Sequence, residues 1–231
     1  MNNFLEMIAR PTVWIVSVIE LLLLAYLVYK FVKTKSLFIL MTAIVTFGLF
    51  YDAFIISLGT ITSASNMLVL SKIRFVLHGG LVPLLFVISE QSIKMKKPLA
   101  ITFYVVAAAF VILGIVNSFL AKYEVMELAG ISRLVVNKEA TKKIVQKIPV
   151  VLNIIAIIPL IVIGIIEIVK EKNVYLLLSG AFMFFFSAIG PIVKAYDYLF
   201  LLSMFGEVLM IVFAILFFIK KEKNKPEIQN D

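Results

Sequence analysis

Five ionisable side chains lie within stretches of the sequence that are otherwise apolar. They are Glu20, Asp52, Arg74, His78 and Glu207. A charge at the centre of a membrane helix costs ~2.5–3.5 kcal/mol on insertion scales, so each of these residues needs a compensating role. Carboxylates in such places pair with cations or bind protons, and a histidine beside them can exchange protons. These five residues are therefore the candidates for ligand or ion binding.

The five residues are predicted to share one layer of the membrane. Each lies about seven to eleven residues from the outer end of its predicted helix, which corresponds to ~10–17 Å at 1.5 Å per residue. Arg74 and His78 are four residues apart and hence on one helix face. Because four helices contribute charge at a similar depth, we expect a shared polar site in the outer half of the bundle, between the first, second, third and seventh predicted helices.

This layer is predicted to be rich in acids. Asp52 is expected to pair with Arg74, which leaves Glu20 and Glu207 without a fixed positive partner. A dry site does not keep an unpaired carboxylate ionised, so either an acid holds a proton or water or a cation enters. Both outcomes favour proton or cation handling, with His78 as a pH-responsive partner. The alternative is a structural ion-pair network, mainly Asp52 with Arg74, that fixes helix packing.

Seven further polar residues are expected at the periphery of this site, because they share helix faces with the candidates or fall in the same outer half. They are Ser17, Tyr51, Asn117, Asn153, Ser187, Lys194 and Ser203. Lys72 is expected to extend its ammonium group outward to water.

The segment "HGGLVP" predicts a kink beside His78. Pro83 has no amide hydrogen, so the carbonyl of Gly79, four residues earlier, loses its helical partner. Gly79 and Gly80 remove side-chain bulk at the same place. Either a gap opens next to His78 or another helix crosses closely here.

The composition places these residues in a membrane protein. The chain has 231 residues, of which 62% are hydrophobic and 16% charged, whereas a soluble domain has about half apolar and a quarter charged residues. The net charge of +8 lies in short clusters between apolar stretches, as in cytoplasmic loops, so we expect no binding of nucleic acid. The absence of cysteine from the sequence excludes disulfides, thiolate metal sites and cysteine nucleophiles.

Seven stretches are long and apolar enough to span a bilayer, which predicts an all-α, polytopic membrane protein. They cover residues 12–32, 37–59, 67–89, 98–121, 148–169, 174–195 and 198–219. Together they form one predicted domain, residues 1–222, followed by a polar cytoplasmic tail, 223–231. The long extracytoplasmic loop 122–147 is expected to be solvated and to carry a surface helix, and the alternative is a lid over the site.

The placement of lysine and arginine predicts the orientation. Basic clusters follow the first, third, fifth and seventh predicted spans, whereas the opposite short segments carry only Arg10 and Lys194. Since cytoplasmic loops are rich in these residues, the N-terminus is expected outside and the C-terminus in the cytoplasm of a cell-membrane protein.

The function expected from these features is transport or binding of a cation, a proton or a small polar solute. The alternatives are a receptor or accessory subunit with a structural ion-pair network, and a membrane enzyme that uses His78 and a carboxylate on a lipid-like substrate. The expected partners are the bilayer and a small solute or cation, or else an unidentified protein. A single histidine and the lack of Glu-x-x-His pairs and of Gly-x-Ser-x-Gly argue against known metal and serine sites, so we expect no metal or cofactor and assign no catalytic residue.

Overall fold

The chain folds into a bundle of long α-helices that are joined mostly by short turns. The computed structural model describes residues 2–93, 95–192 and 200–224, with side chains for 6–93, 95–187 and 200–224. The helices are α1 (Asn2–Thr34), α2 (Leu37–Leu58), α3 (Leu68–Leu81), α4 (Leu85–Ser92), α5 (Lys97–Leu120), α6 (Lys143–Glu171), α7 (Tyr175–Ile192) and α8 (Phe200–Lys223).

Six helical segments within the described residues are long and apolar enough to cross a membrane, which makes the chain a multi-pass membrane protein by helix length and composition. They are Glu6–Thr34, Leu37–Leu58, Leu68–Ser92, Lys97–Leu120, Lys143–Glu171 and Phe200–Lys223. The predicted span 174–195 corresponds to α7, in which the part with described side chains, Tyr175–Ser187, is a shorter apolar helix. The rest of that predicted span lies partly outside the described residues.

The third candidate span is interrupted at Pro83, as the sequence predicts. A single 3-10 turn, Val82–Leu84, separates α3 from α4. The amide of Val82 still donates to the carbonyl of His78, but Pro83 has no amide hydrogen to continue the α-helical pattern. The α-helix is therefore interrupted within one turn of His78, where the sequence predicts a kink.

Glycine residues allow α3 and α5 to cross in backbone contact. A Cβ atom on Gly114 would lie 2.0 Å from the carbonyl oxygen of Gly79, and one on Gly79 would lie 2.8 Å from the carbonyl oxygen of Gly114. No other residue type fits at such a crossing, as is common for small residues between membrane helices. The close crossing predicted as one alternative for "HGGLVP" is thus present.

Residues 122–147 contain a β-hairpin, and the predicted surface helix in this loop is wrong. Strand β1 (Tyr123–Leu128) pairs antiparallel with β2 (Ile131–Val136). Ala129 and Gly130 form the two-residue turn with φ angles of 51° and 70°, the conformation that a tight hairpin needs at both positions. The turn and the β-branched residues on either side of it favour strands over a helix.

The hairpin is fastened to one end of the helix bundle. The amide of Ser132 donates to the carbonyl of Gly59 (2.9 Å), and the Ser132 hydroxyl accepts from the amide of Ala64 (3.0 Å). The Arg10 Nε atom donates to the carbonyl of Gly130 at 3.0 Å. These bonds hold β2 over the beginning of α1 and the end of α2, which we call the hairpin end of the bundle.

Lysine residues are concentrated at the opposite end of the bundle. Lys220 donates through Nζ to the carbonyl of Lys172 at 2.6 Å, which ties α8 to the turn between α6 and α7. Lys221 donates to the carbonyl of Ser92 at the end of α4. We call this the lysine-rich end.

Two apolar clusters fill the interior. The larger one extends toward the lysine-rich end and includes Leu27, Phe38, Leu49, Ile157, Met210 and Phe217. The smaller one lies beneath the hairpin and consists of Ala9, Val13, Val16, Ala53, Ile56, Ile131 and Met204. A thin polar layer separates the two clusters.

Candidate functional site

Four of the five candidate residues meet in the polar layer. The Nε atom of Arg74 lies 3.4 Å from Oδ1 of Asp52, which is the ion pair that the sequence predicts. Glu20 interacts electrostatically with Glu207 and Asp52, and Glu207 also interacts with Asp52 and Arg74. We call Glu20, Asp52, Arg74 and Glu207 the acid cluster.

The helices hold the acid cluster between the two apolar clusters. Glu20 projects from α1, Asp52 from α2, Arg74 from α3 and Glu207 from α8. Each acid has neighbours from both apolar clusters within four residues on its own helix. A residue of the small cluster lies on one side of the acid, and a residue of the larger cluster lies on the other. These flanking residues are Val16, Leu23 and Leu24 on α1, Leu49 and Ala53 on α2, and Met204 and Met210 on α8. The surroundings are therefore apolar both above and below the carboxylates.

The two glutamates differ in their hydrogen bonding. Glu20 is completely buried, and neither of its carboxylate oxygens has a hydrogen-bond partner among the described residues. Glu207 is 5% exposed, and its carboxylate is hydrogen-bonded by Ser203, one turn earlier on α8. Ser17, one turn before Glu20, is also buried. Glu20 is thus the buried acid in this cluster that lacks hydrogen-bonding compensation.

Arg74 connects the acid cluster to the hairpin. Its Nη2 atom donates to the carbonyl of Leu134 on β2 at 2.8 Å, while its Nε atom faces Asp52. Ile131 on the same strand is completely buried within the small apolar cluster. The hairpin therefore covers the acid cluster, which is the arrangement that a lid requires.

His78 lies apart from the acid cluster. It lines a cavity of about 230 Å³ between α3, α5, α6 and the hairpin, together with Asn117 and Asn153. Aspartate and glutamate are missing from the described residues that line this cavity. The predicted role of His78 beside the acids, and the alternative of an enzyme that pairs His78 with a carboxylate, therefore gain no support from its position.

Aromatic rings separate the cavity from the acid cluster. The guanidinium of Arg74 lies 4.5 Å from the ring centroid of Phe75, and the rings of Phe75 and Tyr123 are 4.5 Å apart between centroids. The Tyr123 hydroxyl donates to the carbonyl of Ser118 at 2.6 Å. Burial raises the pKa of Tyr123 to about 12, against a smaller lowering by Arg74, so this phenol remains a neutral donor.

The remaining peripheral residues are scattered. The Tyr51 hydroxyl donates to the carbonyl of Leu70 at 3.2 Å on the partly exposed α2–α3 face. Ser187 lies on α7, where its buried hydroxyl has no hydrogen-bond partner among the described residues. Lys194 lies outside the residues that the structure describes.

Sequence reasoning missed two buried acids at the lysine-rich end. Glu90 accepts hydrogen bonds from Gln91 and from the Tyr104 hydroxyl, the latter at 2.8 Å. Glu167 is buried and lies 3.3 Å from Nζ of Lys221. Glu90 follows directly after a predicted span and Glu167 lies in the last turn of another, so both resembled ordinary interfacial charges. For Glu167, the isoleucines on both sides in sequence were the signal of burial, whereas Glu90 lies between Ser89 and Gln91 and carried no such signal.

The acid cluster combines three carboxyl groups with one guanidinium group. Among the described residues, no group of three or more histidine, aspartate or glutamate side chains is arranged to hold a metal ion. Arg74 lies among the carboxylates and repels cations, whereas it does not prevent protonation of an acid. No protein-family model matches the chain, and no curated protein sequence matches it significantly.

Proposed function

We propose that this chain is a seven-span protein of the cell membrane that binds protons at its acid cluster and exchanges them with water during transport. The observation that carries the proposal is the position of Glu20, which is completely buried beside Glu207 and Asp52 without a hydrogen-bond partner among the described residues. Burying an ionised carboxylate in this way is far more costly than burying the neutral acid. A bound proton accounts for the burial.

The charge balance supports a proton rather than a larger ligand. With Asp52 paired to Arg74, Glu20 and Glu207 remain as two neighbouring acids in the polar layer between the two apolar clusters. Like charges at close distance in a dry site cannot both be ionised without a counterion. A single shared proton removes this repulsion and needs no cavity of its own.

Exchange of this proton requires water to reach the acid cluster, and the hairpin is placed to control it. The bond from Arg74 to the carbonyl of Leu134 joins the lid to the Asp52–Arg74 pair. When the hairpin lifts, Arg74 loses this acceptor and the cluster opens toward the hairpin end. The cluster then exchanges its proton with water on that side, the same movement admits a co-transported solute, and transport is completed when the proton leaves toward the lysine-rich end.

The proposed orientation places the hairpin outside the cell and the lysine-rich end in the cytoplasm. The four basic segments converge at one end, since Lys30 at the end of α1 lies 4.0 Å from Glu222 at the end of α8, and Lys220 and Lys221 contact the other two segments. Cytoplasmic surfaces of membrane proteins are enriched in lysine and arginine in this manner.

Infrared difference spectroscopy tests the bound proton directly. The protein is reconstituted in lipid, and spectra at acidic and alkaline pH are compared for the carbonyl stretch of a protonated carboxyl group, with its isotope shift in D₂O. We expect a protonated-carboxyl band that is altered or lost in Glu20→Gln and in Glu207→Gln. The matched control, Glu171→Gln, changes an exposed acid and should leave the band intact. A band identical in all four proteins would contradict proton binding at the cluster.

A proteoliposome assay tests the transport step. Proton entry under an imposed membrane potential is followed with an enclosed pH-sensitive dye, and the same vesicles are tested with candidate solutes. We expect entry faster than in protein-free vesicles and its loss in Glu20→Gln. Failure of the wild-type protein to move protons under any imposed gradient would refute transport.

A further inference from the structure

A groove on the surface of the bundle lies between α3 and α5 at the hairpin end. Its volume is about 370 Å³. One wall is formed by Leu68, Lys72 and Val76, which are spaced four residues apart and therefore share one face of α3. The other wall is the end of α5 and the residues that follow it, including Phe119 and Lys122. We call this the α3–α5 groove.

The groove is continuous with an apolar surface that no described residue covers. Leu68 is 41% exposed and Phe119 is 74% exposed, and Val69, next to the groove on α3, is 70% exposed. Both helices belong to candidate membrane spans, Leu68–Ser92 and Lys97–Leu120. Apolar side chains on the outer face of a membrane helix contact the acyl chains of lipids, which are as apolar as leucine. The groove therefore opens toward lipid.

Two lysines lie in this groove at a similar level. Lys72 lies one turn inside its span, about 6 Å from the first residue at 1.5 Å per residue, and its flexible stem extends the ammonium group toward the helix end. Lys122 follows the last residue of α5 by two positions. Both lysines are exposed, and neither forms an ion pair with a described residue. Aspartate and glutamate are missing from the described lining, so the groove carries two uncompensated positive charges.

The size and the charge of the groove suit a phosphate head group. At the ~30 Å³ that a water molecule occupies in the liquid, the groove holds about twelve non-hydrogen atoms, slightly more than a phosphoglycerol group contains. Lysine binds phosphate as a point charge, and two ammonium groups can approach the oxygens of one phosphodiester. A head group that also carries choline or ethanolamine would bring a positive charge toward both lysines. The groove therefore favours a lipid with a net negative charge.

We propose that the α3–α5 groove binds an anionic glycerophospholipid, with its phosphate between Lys72 and Lys122 and its acyl chains along Leu68 and Phe119. The lipid comes from the leaflet at the hairpin end of the bundle. The exposed apolar surface beside the groove favours a lipid over a free phosphate ester, because acyl chains add contacts that the ester lacks. This inference is independent of proton binding, since none of the acid cluster residues lines the groove.

Native mass spectrometry of the full chain in detergent tests the proposal, because it resolves the protein that carries one added lipid. The probes are phosphatidylglycerol and phosphatidylcholine with identical acyl chains, and glycerol phosphate is the competitor. We expect the first phosphatidylglycerol to bind at least tenfold more tightly than phosphatidylcholine and to remain bound at an equal concentration of glycerol phosphate. Equal affinities for the two lipids would overturn the proposal. Displacement of phosphatidylglycerol by glycerol phosphate would overturn the assignment to a lipid.

Variants place the lipid in the groove. Lys72→Gln and Lys122→Gln should each weaken phosphatidylglycerol binding about fivefold, as ~1 kcal/mol per lysine at an anionic membrane surface implies, and leave phosphatidylcholine binding unchanged. Lys143→Gln is the matched control, since it removes an exposed cation at the start of α6, at the same end of the bundle but outside the groove. All three lysines are exposed, so the lipid-free variants should unfold at the wild-type temperature.

Two results of this comparison would refute the placement. An equal loss of phosphatidylglycerol binding in Lys143→Gln would show that the lipid responds to the total charge of the hairpin end. Unchanged binding in both groove variants would show that neither Lys72 nor Lys122 contacts the head group.

Discussion

Arg74 holds the carboxylate of Asp52 through Nε, at 3.4 Å from Oδ1, while its Nη2 atom reaches the backbone of the hairpin. The planar guanidinium has donors on several sides, so one side chain can serve both partners at once. The same Arg74 rotamer serves Asp52 and Leu134, so each of these contacts stabilises the other. Arg74 thus forms the ion pair of the acid cluster and also fixes the hairpin against the bundle.

The Asp52–Arg74 pair should behave as an energetically coupled unit. We expect Asp52→Asn and Arg74→Gln each to destabilise the protein by up to about 3–5 kcal/mol, because either change leaves a buried charge without its partner. The double variant should cost less than the sum of the two, with a coupling of about 0.5–3 kcal/mol. Equilibrium unfolding in mixed micelles with increasing SDS measures these differences.

Glu20→Gln is the contrasting variant in the same experiment. If Glu20 is a neutral acid, the amide is a close substitute, and we expect a change of less than about 1 kcal/mol. A loss as large as that of Asp52→Asn would mean that Glu20 is ionised and belongs to a structural ion-pair network. Additive effects of Asp52→Asn and Arg74→Gln would in turn show that the pair seen in the structure contributes no coupling.

The bond from Arg74 to Leu134 should control the mobility of β2. Lysine at position 74 keeps a positive charge for Asp52, but a single ammonium on a flexible stem cannot serve both acceptors in the same geometry. We expect Arg74→Lys to accelerate hydrogen–deuterium exchange in Ile131–Val136 about tenfold or more, as the loss of a charge-assisted hydrogen bond implies. Mass spectrometry of β2 peptides measures the exchange, with Lys72→Gln as the control. Equal exchange in wild type and Arg74→Lys would show that the hairpin is held by its other bonds alone.

The crossing of α3 and α5 should tolerate no side chain at position 114. Alanine there would place its Cβ atom 2.0 Å from a backbone oxygen of Gly79, so the helices must separate. We expect Gly114→Ala to destabilise the protein by about 1–3 kcal/mol or more. Gly80→Ala is the matched control, because its Cβ atom would lie 3.1 Å from the flexible side chain of Ile115 and can be accommodated. Thermal unfolding in detergent distinguishes the two, and equal midpoints would contradict the backbone contact.

Local rules in the sequence were sufficient for much of this site. The cost of burying charge in lipid identified Glu20, Asp52 and Glu207 as residues that need a partner, and counting residues from the predicted helix ends placed them in one layer. The Asp52–Arg74 pair follows from the same argument, and the missing amide of Pro83 predicted where the third span is interrupted. Each of these inferences depends on one residue type or on spacing along a single helix.

The predictions that failed concern His78 and the hairpin, and both depend on contacts between elements that are distant in the sequence. Arg74 and His78 share a helix face, but α3 has different neighbours at the two levels, with the hairpin and α2 beside Arg74 and α5 and α6 beside His78. The spacing of two residues along α3 cannot show that the neighbouring elements differ between their positions. The hairpin was missed because six-residue strands leave a weak pattern, and Ile131 and Leu134 become core residues only when helix ends lie beneath them.

The proposed orientation can be tested with single cysteines, since the natural chain contains none. Ser65 is exposed near the hairpin end, and Lys96 is exposed in the turn between α4 and α5. In intact cells, a membrane-impermeant maleimide should label Ser65→Cys, whereas Lys96→Cys should react only after the membrane is opened. The reverse pattern would place the lysine-rich end outside the cell and refute the orientation.

Maleimide labelling of Asn224→Cys tests whether α7 spans the membrane, since Asn224 is exposed just after α8. Glu171, exposed at the end of α6, is proposed to face the cytoplasm, and two further crossings by α7 and α8 return the chain to that side. We therefore expect Asn224→Cys and Glu171→Cys to be equally protected in intact cells. If α8 were the sole crossing after α6, the two positions would lie on opposite sides, and Asn224→Cys would be labelled while Glu171→Cys stayed protected. That outcome would reduce the bundle to six spans, and the lysines at the end of α8 would no longer lie on the same side as the other basic segments.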